Sequence, residues 1–140
     1  MKLKTKLDPG AFEPIREHST DAGLDIRSKD KTKKIPANGS AVFKTGVHIQ
    51  LPSHTCGLIV PKSGLNVKKE IVSSVGLIDE GYTGEIVVKL ENHSDKDYTV
   101  KAGDKIAQMI VVPAYYFNLE FVEELEETER GENGFGSTGR

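Results

Sequence analysis

Apolar residues in this chain recur with a period of two, in short runs that turn formers interrupt every few residues, a pattern that demands strands. Leu3, Thr5 and Leu7 alternate with lysines, and Val42 to Leu51 mixes β-branched with polar residues. Gly57 to Pro61, Glu85 to Glu91 and Ile106 to Pro113 are short β-rich runs. Between them stand Pro36-Ala-Asn-Gly39, Pro61-Lys-Ser-Gly64, Asp79-Glu-Gly81, Asn92-His-Ser-Asp95 and Ala102-Gly-Asp104, each able to reverse the chain. Helix signals are confined to Ser63 to Lys69, one or two turns at most. Glu120 to Arg130 is acidic, with too few apolar positions to pack as a helix, and reads as a solvated connector. The expected fold is all-β, a jelly-roll-like barrel or sandwich over residues 1–122, with an acidic connector and a Gly-rich arm over 123–140.

At 140 residues the chain has room for one domain and no second. Its net charge of −2 supplies no electrostatic footprint for duplex DNA or RNA, so no direct nucleic-acid binding is expected and any nucleotide-like ligand is small and locally held. No segment approaches the ~20 apolar residues of a membrane span. Met1-Lys-Leu-Lys-Thr-Lys-Leu7 alternates charge with apolar residues, unlike a signal peptide. Cys56 is the only cysteine, which rules out an intramolecular disulfide and fits a reducing cytoplasm, the host cell's if the gene is viral. His18, His48, His54 and His93 lack metal-ligand spacing, so a structural zinc site is not expected.

Five segments carry residue types suited to ligand chemistry, each beside a plainer reading. Ser19-Thr-Asp-Ala-Gly-Leu-Asp25 holds two carboxylates before a strand, either a capped turn or a metal site. Pro61-Lys-Ser-Gly-Leu65 sets a cation, a hydroxyl and a glycine amide at a strand end, either a tight turn or a phosphate nest. Gly76-Leu-Ile-Asp-Glu-Gly-Tyr-Thr-Gly84 reads as a hairpin, with Asp79 as a turn residue or, covered by Ile78 and Tyr82, a general base. Gln108 sits in the strand after Gly103-Asp-Lys, as a satisfied polar group or a ligand contact. The tail Arg130-Gly-Glu-Asn-Gly-Phe-Gly-Ser-Thr-Gly-Arg140 cannot build a core. It is a flexible terminus or, given Phe135 among glycines, a cover for a flat base with arginines and hydroxyls for phosphate.

In this order the segments Ala22–Ile26, Pro61–Leu65, Gly76–Tyr82, Gly103–Gln108 and Arg130–Gly139 resemble the five motifs of the trimeric dUTPase family. The resemblance implies hydrolysis of dUTP to dUMP and pyrophosphate, which limits uracil in DNA and supplies dUMP for thymidylate synthesis. It implies Mg²⁺ as cofactor, held through water by Asp25, and a homotrimer with shared active sites whose tail comes from a neighbouring subunit. Asp79 matches the carboxylate that deprotonates the water attacking the α-phosphorus. Lys62, Ser63, Gly64 and Gln108 match phosphate contacts, and Tyr82 matches the ring beneath the deoxyribose. A hairpin from Ser73 to Asp79, including Gly76, Leu77 and Ile78, matches the main chain that reads the uracil edge. Phe135 matches the ring stacked on uracil, and Arg130, Gly136, Ser137 and Thr138 match the arm that closes on the outer phosphates. Lys62, Gly81, Thr83, Ser73 and Asn133 depart from the commonest family residues. At Lys62 a point charge replaces a bidentate guanidinium. A dCTP deaminase of the same superfamily would need a glutamate near the base amino group, which the sequence does not offer, and a role in binding regulatory proteins would call for an inserted segment.

Overall fold

The computed structural model describes residues 1–134, which form eleven strands and one short helix. In chain order these are β1 (Lys4–Leu7), β2 (Leu24–Arg27), β3 (Lys33–Ile35), β4 (Ser40–Lys44), β5 (Val47–Gln50), β6 (Thr55–Val60), α1 (Ser63–Lys69), β7 (Ile71–Ser73), β8 (Gly76–Ile78), β9 (Val87–Asn92), β10 (Tyr98–Val100) and β11 (Lys105–Pro113). Every pairing is antiparallel. A four-stranded sheet runs β2-β11-β6-β8 and a three-stranded sheet β4-β9-β7, flanked by the pairs β1-β5 and β10-β3. This is a jelly-roll-like β fold.

Alternation selects the core. On β9, Val88, Leu90 and Asn92 are buried while Val87 and Lys89 are exposed. Phe43 and Ile71 join them from the same sheet, and Ile26, Ile35, Ile59, Ile106 and Met109 from the other sheets. Each such side chain contributes about 1.5–3 kcal/mol when fully buried. Buried Asn92 ties the end of β9 to the turns beside it, its Nδ2 donating to the carbonyls of Pro36 (3.1 Å) and Lys96 (2.7 Å) and its Oδ1 accepting the Ser94 N–H (3.0 Å).

Two stretches fold differently from the sequence reading. Val42 to Leu51 is not one run: it breaks at Gly46, so β4 joins β9 while β5 joins β1. Gly46 has φ +65, and a Cβ there would stand 2.7 Å from the Ala11 side chain, so the chain passes this crossing only as glycine. Nor is Ser73 to Asp79 a paired hairpin, because β7 pairs with β9 and β8 with β6, so the segment crosses from one sheet to the other.

Candidate active site

The site residues fall into two clusters. The first forms around β11, where Gln108 stands opposite Asp25 of β2 on one side and Val60 of β6 on the other. The Asp25 backbone is pinned by reciprocal bonds with Ile15, whose N–H donates to the Asp25 carbonyl (3.2 Å) and whose carbonyl accepts the Asp25 N–H (2.7 Å). Its side chain is 8% exposed, with Lys62 on Oδ1 and Lys105 2.8 Å from Oδ2. Burial pushes the Asp25 carboxyl up, but hydrogen bonds and charge from Lys105 and Lys62 outweigh it and hold it below the ordinary aspartate range. Lys105 is raised in turn by its hydrogen bonds to Asp25 and to Glu17, 2.7 Å away.

A bulge makes this cluster possible. The register between β2 and β11 slips between Lys105 and Ala107, setting Lys105 opposite Arg27. Without the slip Lys105 would alternate onto the Ile26 face, in the core; with it, Lys105 shares the face of Asp25. Gly23 completes the arrangement, since a Cβ there would lie 2.7 Å from Gln108 Oε1. Directly after β6 comes Lys62, the N-cap of α1, with no side-chain cap on the helix. Ser63 and Gly64 are exposed, and their N–H groups have no acceptor within the helix.

The second cluster gathers where the chain leaves β8. Ile78 is buried, Leu77 is 64% exposed, and Asp79 opens a turn closed by the Tyr82 N–H to the Asp79 carbonyl at 3.0 Å. The Tyr82 ring lies against Gly84, where a Cβ would meet it at 2.5 Å, and its hydroxyl donates to the Glu85 carbonyl (2.8 Å). Gly76, Leu77, Asp79, Tyr82, Ile86 and Val87 line a cleft of ≈ 200 Å³. The return leg is strapped to the edge of β5, with the Gly46 N–H donating to Glu85 Oε1 (2.9 Å) and the Ile86 N–H to the Val47 carbonyl (2.9 Å).

Beside Asp79, Glu80 accepts the His54 N–H (2.9 Å) and the Tyr116 hydroxyl, and the Tyr116 ring stacks on His54 at 5.5 Å. The hydrogen bond to Glu80 pushes Tyr116 up to about 12, and the same bond, with that from His54, holds Glu80 below its ordinary range. The root of the C-terminal segment is therefore fastened to the residue next to Asp79.

Asp79 is exposed, so the apolar cover expected from Ile78 and Tyr82 is not formed within one chain: Ile78 turns into the core. Asp79 leaves β8 beyond the Ile78–Gly57 pair, whereas Asp25 and Gln108 sit level with Val60. The offset along β6 is roughly four residues, about 13 Å at ~3.3 Å per residue. Among the described residues no hydrogen bond or ion pair joins the two clusters. Ser73 is buried on β7 with its hydroxyl unpartnered. Arg130 belongs to an exposed turn, its Nε donating to the Asn133 carbonyl (3.0 Å), apart from both clusters. Phe135, Gly136, Ser137 and Thr138 lie outside the described residues.

Sequence reasoning missed Lys105, Glu17, Glu80 and Tyr116. It read Glu120 to Arg130 as a solvated connector and said nothing of the stretch before it; Tyr115, Phe117, Leu119, Phe121 and Leu125 are each about four-fifths exposed or more, an apolar series uncovered by its own chain. Among the described residues no group of three or more His, Cys, Asp or Glu could hold a metal, and no helix is long and apolar enough to cross a membrane.

The charge-paired corner at Asp25 and the cleft beside the exposed Asp79 carboxylate are the two clusters into which the chain gathers these residues. The dUTPase family model matches residues 12–139. The chain is 45% identical over 142 residues to the deoxyuridine 5′-triphosphate nucleotidohydrolase of Crocosphaera subtropica, covering 99% of each. Its fold is similar to that of the Staphylococcus bacteriophage 80alpha dUTPase with dUPNHPP, with a TM-score of 0.93, 33% identity and 99% of each chain covered. It is also similar to a dUTPase from phage phi11 of S. aureus that coordinates a structural Mg(II) ion, with a TM-score of 0.83, 30% identity, and 91% of this chain and 100% of that one covered. The chain belongs to the dUTPase family.

Proposed function

We propose that this chain hydrolyses dUTP to dUMP and pyrophosphate, by attack of water on the α-phosphate at sites shared between the subunits of a homotrimer. The observation that carries the activity is the family match over nearly the whole chain. In this reading Lys62, Ser63, Gly64 and Gln108 hold the phosphates. Lys62 turns from Asp25 onto a phosphate oxygen, and Arg130 joins with Ser137 and Thr138 when the arm, residues 123–140, closes. Gly76, Leu77 and Ile78 present main chain to the uracil edge, with Ser73 at the start of the same crossing, and Tyr82 fills the space beneath C2′. Phe135, flanked by Gly136, stacks on the base. Asp79 takes the proton of the attacking water.

Asp25 suits Mg²⁺ because a hard cation that keeps most of its waters needs one carboxylate plus the substrate's phosphates, and no larger acidic cage is found among the described residues. When bound, the ion neutralises part of the triphosphate's charge. Asp25 would offer it a buried carboxylate once Lys62 turns away, and Lys62 and Lys105 would compensate phosphate charge beside it.

The assembly is supported by the split itself. Asp79, after β8, and Asp25, on β2, stand level with points about 13 Å apart along β6, at ~3.3 Å per residue, so in this reading one chain does not bring water activation to its own phosphate corner. A neighbour's loop does so in a trimer, and the uncovered apolar series from Tyr115 to Leu125 gives a connector a reason to lie across another subunit. The reading places the protein in the cytoplasm, supplying dUMP and keeping uracil out of DNA. Pyrophosphate release from dUTP, UTP, dCTP and dTTP in Mg²⁺ tests it: dUTP alone is turned over efficiently, and equal use of dCTP or UTP refutes it.

A further inference from the structure

The side chain of His48 on β5 is engaged by nothing in the mechanism above, yet it is only 19% exposed and both its nitrogens are engaged. Nδ1 lies 3.0 Å from the carbonyl oxygen of Thr83, the residue between Tyr82 and Gly84. Nε2 lies 3.2 Å from Asp8 Oδ1, as an ion pair more than an aligned hydrogen bond. We propose that His48 is a positioning residue for sugar selection: its ring holds the Thr83 carbonyl, and through it the Tyr82 ring, in the place from which a ribose is rejected. This rests on the dUTPase reading and on Tyr82 lying beneath the sugar.

The geometry carries the argument. Tyr82 is fixed at its hydroxyl by the Glu85 carbonyl and beneath its ring by Gly84. The peptide joining Tyr82 to Gly84 has one side-chain anchor among the described residues, His48. A doubly protonated ring donates to Thr83 and faces Asp8 with its charge. A neutral ring has one N–H, so either Thr83 or Asp8 meets a lone pair, and the anchor loosens. The surrounding charges are Asp8 after β1, Lys4 and Lys6 on β1, Lys29 after β2, and the Glu85 carboxylate on the return leg. Lys29 lies 3.9 Å from Asp8, so it tempers the acid without removing it. The bond to Thr83, then Asp8, raises His48 above its ordinary value, and His48 in turn holds Asp8 below its own. Asp8 therefore stays ionised while the ring titrates.

The test compares the unaltered protein with His48→Gln, which keeps an amide donor but carries no charge. The dUTP-over-UTP ratio of kcat/KM should fall about fivefold as pH rises through the His48 titration, the worth of one hydrogen bond, while kcat for dUTP changes little. In His48→Gln the ratio should be flat with pH. A second readout needs no turnover: amide resonances of Tyr82, Thr83 and Gly84 should titrate with the His48 ring and stop doing so in His48→Gln. Amides that ignore the ring's titration, or a selectivity profile identical in both proteins, would overturn the proposal. Absence of dUTP turnover with amides that follow the ring would overturn the proposed function instead and leave the anchor standing as a loop device.

Discussion

The two halves of the site are built on opposite electrostatic plans. Around Asp25 the charges are paired: two ammonium groups on one buried carboxylate, and Glu17 on the far side of Lys105. Around Asp79 the carboxylate proposed as the base is bare, and the bonds go to its neighbours Glu80, Tyr82 and Glu85. In the proposed site the first plan holds cations ready for a polyanion, since Lys62 and Lys105 are kept in place by the acid they pair with. The second leaves a base open to water and spends its bonding on holding the loop. A binding surface gains from pre-paired charge, whereas a proton acceptor must keep its lone pairs free.

The sharpest way to break this contrast is Asp79→Asn, which removes the base and touches none of the paired charges. Turnover of dUTP should fall about 10²- to 10⁴-fold with nucleotide binding retained, the usual worth of a general base. Pyrophosphate release and equilibrium binding of a non-hydrolysable analogue separate the two; near-normal turnover would remove Asp79 from the chemistry.

If the halves meet only between subunits, defects in different halves complement. Asp79→Asn chains mixed with Ser63→Ala chains, after demonstrated subunit exchange, should regain activity in about one quarter of the sites, those pairing an intact loop from one chain with an intact corner from the other. No recovery after exchange means that both halves belong to one chain.

Much of this was legible in the sequence, for definable reasons. Short strands such as β1 and β6 show in local alternation, and α1 falls on Ser63 to Lys69, where the weak helix signal stood. Strand pairing does not, because nothing local tells β4 to pair with β9 while β5 pairs with β1. β3 and β10 were invisible for a related reason: each offers a single buried residue, Ile35 or Val100, to mark it. In the site, Asp25, Ser63, Asp79 and Gln108 could be named through the resemblance of their segments to the family's motifs. The Lys105–Asp25 pair could not, since it depends on a one-residue slip whose effect is to reverse a side chain's face. The expected cover over Asp79 failed because adjacency in sequence sends Ile78 and Asp79 to opposite sides of a strand.

Tyr82 and Gly84 sharpen the loop's half of the comparison. Tyr82→Ala should reduce the dUTP-over-UTP preference by up to about 10²-fold, the range a shaped apolar surface gives against an added hydroxyl. Gly84→Ala should shift the preference in the same direction by less, because its Cβ would displace the far end of the Tyr82 ring and no backbone. Thermal stability should stay near that of the unaltered protein in both. A Gly84→Ala protein with full selectivity would show that the ring's seat on Gly84 is not what positions it.

The smallest effect belongs to the paired corner and appears in stability against pH. Asp25 has a folded-state pKa depressed below the ~3.9 of an unfolded aspartate, so its contribution is complete above that value and is lost as pH falls through the folded one. Urea midpoints should therefore decline from about pH 4 downward, where the carboxylate protonates and leaves Lys62 and Lys105 facing a neutral group. Asp25→Asn should be less stable at neutral pH, where the two ammonium groups lose their counter-charge, and should show a shallower acid decline. Asp79→Asn should follow the unaltered protein's acid profile, since its carboxylate has no ammonium partner to lose. If the two variants show the same acid profile, the corner is not held by charge, and the contrast between a paired and an open half fails at its paired end.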